Sequence, residues 1–367
     1  MSVNQATKTP FLSVVIRSKD EADRLRLVLA SLAYQTADCE IIVVDDGSSD
    51  HTGTVLACAS KNLPLKVVRH ETAQGRSAAS NAGGQAASGE VLLFLDGDTL
   101  AAPDLLARHM AGHARSDNQI FRGDPHHLRC TRFFRNPETG EAWPQRRDEL
   151  ARRPAAEVDE MRVTLAQVVQ DFSTIEERAM PGIYPGVGPR RLYELETDAL
   201  LNAPDCTVLW AASSGSNMSV RRDAFLEQGG FDARLDNNEH RELALRLFKA
   251  GIRMAALPGA RSYHLTHQIG WRDPLKKSDW ETVFLRAQPL PAVALLPIFW
   301  ATLSSASLVP ADYQIHSLPE LETAARGTNG LDYDIARRAI GFAPLGPGFW
   351  QSVETSVPDK VLPGGMA

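Results

Sequence analysis

Short apolar runs alternate with helix-like stretches along the first third of the chain. The runs are rich in Val, Ile and Leu, as is typical of strands that are buried on both faces. The stretches between them repeat apolar residues near helical spacing, as at Leu25, Leu29 and Leu32. Strand and helix in turn predict a parallel sheet with helices on both faces. The predicted elements are strand 12–16, helix 21–34, strand 40–44, helix 55–59, strand 65–69, helix 76–87 and strand 91–95.

The pattern changes after the first third. Residues 113–205 are richer in Arg, Pro and Glu, and regular patterning returns at 207–212. Gly251 closes a predicted helix. The predicted features are a hairpin tip at 135–143, a loop at 180–194, a helix at 239–250, a strand at 254–257 and a poorly ordered tail from about 345. We therefore divide the chain into four regions: 1–112, 113–206, 207–272 and 273–367.

Residues 289–310 are mostly apolar and about as long as a membrane span. However, Pro289, Pro291 and Pro297 interrupt the segment, and serines dilute its second half. We expect a packed C-terminal helix or a peripheral membrane contact rather than a true span, with the packed helix favoured.

Composition and charge exclude some classes of protein. Hydrophobic residues make up 43% of the chain and charged residues 23%, which is ordinary for a soluble globular protein. The net charge is −6, with 39 basic and 45 acidic residues, and this argues against a dedicated nucleic-acid binder. The four cysteines form no CxxC pair, and the N-terminal residues have no apolar signal region. We expect a cytoplasmic protein.

Aspartates follow the predicted strands, where ligands of open parallel sheets bind. These residues are Asp20, Asp45, Asp46, Asp96 and Asp98. Carboxylates at i and i+2, such as Asp96 and Asp98, can chelate one hard divalent cation if the backbone turns between them, and Gly97 permits that turn. Alone, such a pair is as easily a polar turn after a strand.

Five segments together resemble family 2 glycosyltransferases, which have the GT-A fold. The resemblance covers roughly residues 11–120 and 207–270. It implies an α/β, Rossmann-like fold with a mostly parallel central sheet flanked by helices, a mid-chain insertion and a C-terminal helical extension. The segments are SVVIRSKDEADRLRLVLASLAYQT (13–36), VVDDGSSDHT (43–52), GRSAASNAG with EVLLFLDGDT (75–83 and 90–99), SGSNMSVRRDAFLEQGGFD (214–232) and NNEHRELALRLFKAG (237–251).

The resemblance implies a binding site for a nucleotide-diphosphate sugar. Asp46 resembles the aspartate that hydrogen-bonds the base, and this favours a UDP-sugar because a carboxylate accepts from an imide N–H. Arg17 and Arg76 are assigned to donor binding, since a cation there would help to hold a diphosphate. Lys19 and Asp20 depart from the aromatic residue and Asn of many relatives, so base stacking at position 19 is in doubt.

The resemblance also implies a divalent metal ion, Mn²⁺ or Mg²⁺, that bridges the two phosphates. Asp98 is the expected principal ligand, and Asp96 is expected to reach the ribose or the metal. His264 stands where metal-dependent members of the fold often have a histidine, with His267 as the runner-up.

An inverting transfer needs a base that takes the proton of the acceptor hydroxyl. The family uses the Asp of a Glu-Asp pair, but this chain has Glu239 followed by His240. The base is therefore Glu239, His240 or Glu242, or the protein does not catalyse inverting transfer. We favour Glu239 and His240 together.

The favoured function is metal-dependent glycosyl transfer to an acceptor hydroxyl. The acceptor is unknown; it should be framed by residues 113–205 and by those after Trp271. One alternative is a nucleotidyltransferase of related fold, which would need a Gly-rich basic loop after the first strand. Another is a non-catalytic sugar-nucleotide binder, a hypothesis motivated by His240.

Overall fold

The first part of the chain folds as alternating strands and helices. The structure is a computed structural model that describes residues 11–182, 192–267, 280–327 and 329–352. Strands β2 and β4 end later than predicted, so that Asp46 and Asp96 are their last residues. The elements are β1 (Leu12–Ser18), α1 (Ala22–Ala33), β2 (Glu40–Asp46), α2 (Thr52–Ala59), β3 (Leu65–His70), α3 (Arg76–Ala86), β4 (Val91–Asp96), β5 (Thr99–Ala101) and α4 (Leu105–Arg115).

The middle region begins with a long strand and continues with short helices. Its elements are β6 (Gln119–His127), β7 (Phe134–Asn136), β8 (Glu141–Ala142), α5 (Arg147–Ala151), α6 (Ala155–Glu160), α7 (Leu165–Gln170), α8 (Ser173–Glu176) and β9 (Met180–Pro181). Strands β7 and β8 pair in antiparallel fashion, which confirms the predicted hairpin. Most of the predicted loop at 180–194 lies outside the described residues.

The last part of the chain is mainly helical. Its elements are α9 (Leu192–Asn202), β10 (Met218–Arg221), α10 (Arg222–Glu227), α11 (Glu239–Lys249), β11 (Arg253–His264), α12 (Trp280–Ala287), α13 (Pro291–Ser305), α14 (Leu318–Ala325), α15 (Tyr333–Ala339) and α16 (Pro347–Ser352). Short 3-10 helices lie at Arg129–Phe133, Pro144–Arg146, Leu209–Ala212, Ala306–Leu308 and Ala311–Tyr313. The predicted tail from 345 contains α16, and residues beyond 352 lie outside the described part.

One nine-stranded sheet organises the described residues, in the order β3-β2-β1-β4-β10-β6-β11-β5, with β9 beside β6. Strands β1 to β4 are mutually parallel, as predicted, and their buried residues are almost all apolar. Strand β10 then runs antiparallel to both β4 and β6. The α/β fold with a flanked central sheet is thereby confirmed. Strand β6 belongs to this sheet although it comes from the region that we expected to be an insertion.

Strand β11 is much longer than the predicted strand at 254–257. It pairs in parallel with β6, with an irregularity between Ala256 and Arg261 that shifts the register. Its last residues pair with β5, where His264 lies opposite Thr99. Because Thr99 follows directly after Asp98, this pairing brings the end of β11 to the Asp-Gly-Asp turn.

Helix α13 contains the apolar segment that raised the membrane question. Among the described residues, Pro291–Leu308 is long and apolar enough to cross a membrane by length and composition, with a mean hydropathy of 1.5, but 67% of it is buried inside the protein. Every residue from Pro291 to Thr302 is buried. This burial favours the packed helix, and the peripheral membrane contact stays a prediction.

A buried arginine joins three of the C-terminal helices. The Arg337 side chain on α15 is fully buried, and its guanidinium group lies 2.6 Å from the Glu281 carboxylate on α12. The same group donates a hydrogen bond of 2.7 Å to the carbonyl oxygen of Ala294 on α13. Its Nε donates to Ala343 O at 2.9 Å. One side chain therefore fixes the mutual packing of α12, α13 and α15.

We expect Arg337→Ala to destabilise the protein by about 3–5 kcal/mol, because it leaves the Glu281 carboxylate largely buried without its cation. Urea unfolding at neutral pH measures this change. The control is Arg108→Ala, which removes an exposed ion pair to Asp104 within α4 and should cost less than about 1 kcal/mol. Equal losses in the two variants would contradict the structural role of Arg337.

Candidate active site

The carboxyl ends of β1, β2 and β4 open into a cleft of about 1250 Å³. Parallel strands bring these ends to one edge of the sheet, and the N-termini of α3 and α11 reach the same edge. His267, the runner-up ligand, lines the cleft as well. All the residues predicted for the site line it, namely Arg17, Asp46, Arg76, Asp96, Asp98, Glu239, His240 and His264.

The Asp-Gly-Asp turn is fixed between two strands. Gly97 N–H donates a hydrogen bond of 3.0 Å to Arg17 O on β1, and Leu265 N–H donates one of 2.8 Å to Asp98 O. A Cβ atom on Gly97 would lie only 2.9 Å from Ser18 Oγ. Glycine is therefore needed here because the turn packs directly against β1.

Asp98 lies in a group of three side chains that fit a metal ion. One ligand atom from each of Asp98, His264 and His267 falls within 4.8 Å of the others. Asp98 Oδ2 lies 2.9 Å from His267 Nε2 and 3.4 Å from His264 Nε2. A carboxylate with two imidazoles is an N/O donor set that suits first-row transition metals better than Mg²⁺.

The protonation states of this group are strongly perturbed. Burial alone would raise the pKa of Asp98, but His264 and His267 together hold it well below its usual value. Burial opposes the charged form of His267, but the carboxylates of Asp98 and Glu21 raise its pKa overall. The two carboxylates thus favour a positive charge on His267, and a divalent cation would compete with that proton for the ligand atoms of the group.

Asp96 points away from this group to Arg17. Arg17 Nε donates to Asp96 Oδ1 at 2.7 Å, and Arg17 Nη1 donates to Glu239 Oε1 at 2.9 Å. Burial opposes the charge of Arg17, yet the two carboxylates raise its pKa overall. The structure thus pairs Arg17 and Asp96 with each other, whereas we expected Arg17 on the donor and Asp96 on the ribose or the metal.

Asp46 shapes the opposite wall of the cleft. Its Oδ1 accepts a hydrogen bond of 2.8 Å from Gln74 N–H, and its Oδ2 accepts one of 2.9 Å from Gly75 N–H. His70 Nδ1 also lies 2.6 Å from Asp46 Oδ1. Asp46 therefore holds the loop in front of α3, and Arg76 begins that helix at the cleft. The contact of Asp46 with a nucleotide base stays a prediction.

Glu239 and His240 begin α11 on the far side of the cleft. Burial alone would raise the pKa of Glu239, but His240 and Arg17 hold it far below its usual value. Burial lowers the pKa of His240, and the nearby charges of Arg241 and Arg17 add to this effect. At neutral pH the pair therefore consists of a carboxylate and a neutral imidazole.

Glu242, the third base candidate, is engaged elsewhere. Arg246 Nε lies 2.9 Å from Glu242 Oε1 and 3.0 Å from Oε2, and Arg246 Nη2 lies 2.7 Å from Oε2. The Glu242 carboxylate is buried within this pair and lies outside the described lining of the cleft. Its ion pair with Arg246 supports a structural role instead of a chemical one.

Two cleft residues were missed in the sequence. Arg241 directly follows His240, and Glu196 comes from α9 in the predicted insertion. They form a buried ion pair of 3.1 Å. Arg241 could have been noticed beside the Glu-His pair, but Glu196 lies 45 residues away in a segment without a motif.

Comparisons with known proteins show similarity to glycosyltransferases. Residues 13–163 match the family model described as "Glycosyl transferase family 2". The chain is 29% identical over 353 residues to "Validoxylamine A glucosyltransferase" of Streptomyces hygroscopicus subsp. jinggangensis (strain 5008), which covers 92% of this chain and 74% of that protein. It is 35% identical over 113 residues to "Uncharacterized glycosyltransferase YfnE" of Bacillus subtilis (strain 168), or 30% of this chain and 29% of that protein.

A solved structure with a similar fold is that of S. aureus TarS 1–349. The TM-score is 0.50 at 17% sequence identity, and the match covers 81% of this chain and 73% of that chain. At this level of identity the likeness concerns the fold alone.

We expect Arg17→Met to destabilise the protein by about 3–5 kcal/mol at neutral pH, because two carboxylates lose their buried cation. Since Arg17 helps to depress the pKa of Glu239, its contribution is complete above the unfolded carboxyl pKa of about 4.3 and is lost as the pH falls. Urea unfolding between pH 2 and 8 should show a constant difference in stability between the two proteins above about pH 4.3 and a smaller difference below it. A difference from wild type that stays constant with pH would contradict this pairing; Arg108→Met is the exposed control.

Proposed function

We propose that the protein is a member of glycosyl transferase family 2 and that it moves a glycosyl group from a nucleoside-diphosphate sugar to an acceptor hydroxyl. We further propose that the transfer inverts the anomeric centre and depends on a divalent metal ion. UDP is the favoured nucleotide because the Asp46 carboxylate lines the cleft, and a carboxylate can accept a hydrogen bond from an imide N–H.

The observation that carries this proposal is the convergence on one cleft. The Asp98, His264 and His267 group lies at the carboxyl ends of parallel strands, together with the loop that Asp46 holds. Ligands of open α/β sheets bind at this edge. A carboxylate, Glu239, faces the same cleft from α11.

Asp98, His264 and His267 would hold the metal ion, and their mixed N/O donor set fits Mn²⁺ better than Mg²⁺. The ion would supply positive charge that stabilises the departing diphosphate. Arg76 at the N-terminus of α3 would add a second cation on the nucleotide side.

Glu239 is the group that we assign as the base. Its Oε1 accepts a hydrogen bond from Arg17. Its other oxygen, Oε2, lies 3.6 Å from His240 Nδ1. The acceptor oxygen would form a bond to the anomeric carbon while the bond from that carbon to the diphosphate oxygen breaks. The bonding electrons leave with the nucleoside diphosphate, and the hydroxyl proton passes to the Glu239 carboxylate.

The full-length similarity to validoxylamine A glucosyltransferase makes UDP-glucose the first donor to test. For the acceptor, side chains of the middle region line the cleft opposite Asp46, among them Trp143 and Tyr193. Aromatic faces of this kind suit the apolar face of a ring-shaped polyol. We therefore propose a small polyhydroxylated ring as the acceptor class.

A thermal-shift screen of nucleoside diphosphates and nucleotide sugars, with and without Mn²⁺, tests the donor without knowledge of the acceptor. Metal-dependent stabilisation by UDP and UDP-glucose supports the proposal. Slow hydrolysis of the nucleotide sugar then distinguishes a transferase from a non-catalytic binder, and pyrophosphate release from a nucleoside triphosphate would instead indicate a nucleotidyltransferase.

We expect Asp98→Ala to abolish the Mn²⁺-dependent part of UDP binding, because the cluster loses its carboxylate. Isothermal titration of UDP in the presence of Mn²⁺ measures the change. Asp104→Ala is the control, because Asp104 precedes α4 and pairs with Arg108 through a half-exposed side chain. If the Asp98 variant bound UDP as tightly as the wild type in the presence of Mn²⁺, Asp98 would not be a ligand of the metal ion.

We expect Glu239→Gln to lower kcat by about 10²- to 10⁴-fold, because the amide cannot take the acceptor proton. Donor affinity should change little, since the metal group and Asp46, which we assign to the donor, have no described contact with Glu239. Initial rates over a range of donor concentrations separate kcat from KM. Near-normal turnover in this variant would rule out Glu239 as the base.

A further inference from the structure

Buried charges of alternating sign run along the acceptor-side wall of the cleft. Three guanidinium groups and three carboxylates take part, and consecutive charged partners lie 2.7–3.1 Å apart except where His240 intervenes. The neutral His240 imidazole lies between the charges of Arg241 and Glu239. The series, in spatial order, is Arg122, Glu196, Arg241, His240, Glu239, Arg17 and Asp96.

Glu196 is the carboxylate that pairs with both Arg122 and Arg241. Only 3% of its side chain is exposed. Its Oε2 lies 2.8 Å from Arg122 Nη1, and its Oε1 lies 3.1 Å from Arg241 Nη2. Both oxygens are thus occupied by guanidinium groups, so that Glu196 fixes the position of Arg241 instead of offering a free carboxylate to a substrate.

Arg241 in turn determines what the His240 imidazole can do. Arg241 Nη1 lies 2.9 Å from His240 Nε2 and 3.0 Å from Asn238 Oδ1. Its Nε donates to Ala211 O at 2.8 Å. A guanidinium group can only donate, so Nε2 must accept, and the proton of the neutral imidazole must be on Nδ1.

The Nδ1 atom of His240 is buried beside Glu239. Nδ1 has no hydrogen-bond partner among the described residues and lies 3.6 Å from Glu239 Oε2. A Cβ atom on Gly215 would be 3.4 Å from Nδ1, so glycine leaves space in front of this atom. The nearest carboxylate oxygen to this N–H group is therefore that of Glu239.

We propose that Glu196 is a positioning residue: through Arg241 it fixes His240 as the Nδ1–H tautomer, so that His240 donates a hydrogen bond beside Glu239 and does not act as a base. The effect on turnover rests on the proposed function, whereas the tautomer itself does not. This inference corrects the expectation that His240 shares the role of base.

The balance of charge explains why a histidine fits at position 240. The six charged side chains sum to zero, with Arg122, Arg241 and Arg17 against Glu196, Glu239 and Asp96. The aspartate that family members have here would add a fourth buried carboxylate next to Glu239. A neutral donor avoids that repulsion and leaves Glu239 as the proton acceptor.

The test compares Glu196→Gln with Glu242→Gln. Both changes remove one buried carboxylate that pairs with an arginine of α11, but Glu242 pairs with Arg246 outside the cleft. Imidazole ¹⁵N shifts report the tautomer, and the signal of His240 among the 10 histidines is identified by its absence in His240→Asn. Wild type and Glu242→Gln should both show Nδ1–H, whereas Glu196→Gln should show a mixture.

The same variants are compared by kinetics. Glu196→Gln should lower kcat by about 100-fold, as expected for a misplaced reacting group, with donor KM unchanged. Its pH profile should also shift, because Arg17, Glu239 and Arg241 all face His240. Glu242→Gln should lower stability but keep the pH profile. Glu196→Asp keeps the negative charge between Arg122 and Arg241 and should therefore recover most of the turnover. If the Gln variant does not fold, a loss of both the Nδ1–H tautomer and the turnover in Glu196→Asp would contradict the proposal.

If Glu196→Gln kept the Nδ1–H tautomer as completely as the wild type does, together with an unchanged kcat, the proposal would be overturned. A mixed tautomer with unchanged kcat would overturn the role of Glu196 in turnover while leaving the transferase function intact. If the wild-type protein turned over no nucleotide sugar, the proposed function would fail, and the ¹⁵N spectra would still decide whether Glu196 fixes the imidazole.

Discussion

The ion pairs of Arg17 join the two halves of the cleft. Its guanidinium group on β1 reaches Asp96 at the end of β4 and Glu239 at the start of α11, which is 222 residues away in the chain. Both carboxylates belong to the proposed chemistry, one beside the metal turn and one as the base. An uncompensated carboxylate at either place would be costly. The position of the acceptor side relative to the nucleotide side therefore depends on one buried cation.

The Asp-Gly-Asp turn shows how this constraint separates two adjacent functions. Asp96 is the last residue of β4 and turns to Arg17, whereas Asp98 lies beyond Gly97 and turns to His264 and His267. The backbone of the turn is held from both sides, by Arg17 O and by Leu265 N–H. Two carboxylates one residue apart thus serve different partners, and Asp98 alone joins the described metal-binding group.

Much of this fold could be predicted from the sequence because its strands are apolar runs and its helices have clear periodicity. The cleft location followed from the aspartates at the strand ends. The ion pairs of Arg17 with Asp96 and Glu239 could not be predicted, since they depend on the register of β1 against β4 and on the position of α11. Strand β6 and Glu196 were also missed, because their segment carries no motif and its function appears only when β6 joins the sheet.

The charged side chains around His240 determine what this histidine can do in place of the expected aspartate. A histidine in place of the expected aspartate first suggests either a different base or a lost activity. Beside Arg241, however, its Nε2 must accept a hydrogen bond, and its lowered pKa keeps the ring neutral. A carboxylate is still present one residue earlier, in Glu239, which is ionised and lines the cleft. In the arrangement that we propose, Glu239 and His240 therefore have different roles, and Glu196 supplies the negative charge that holds Arg241 in place.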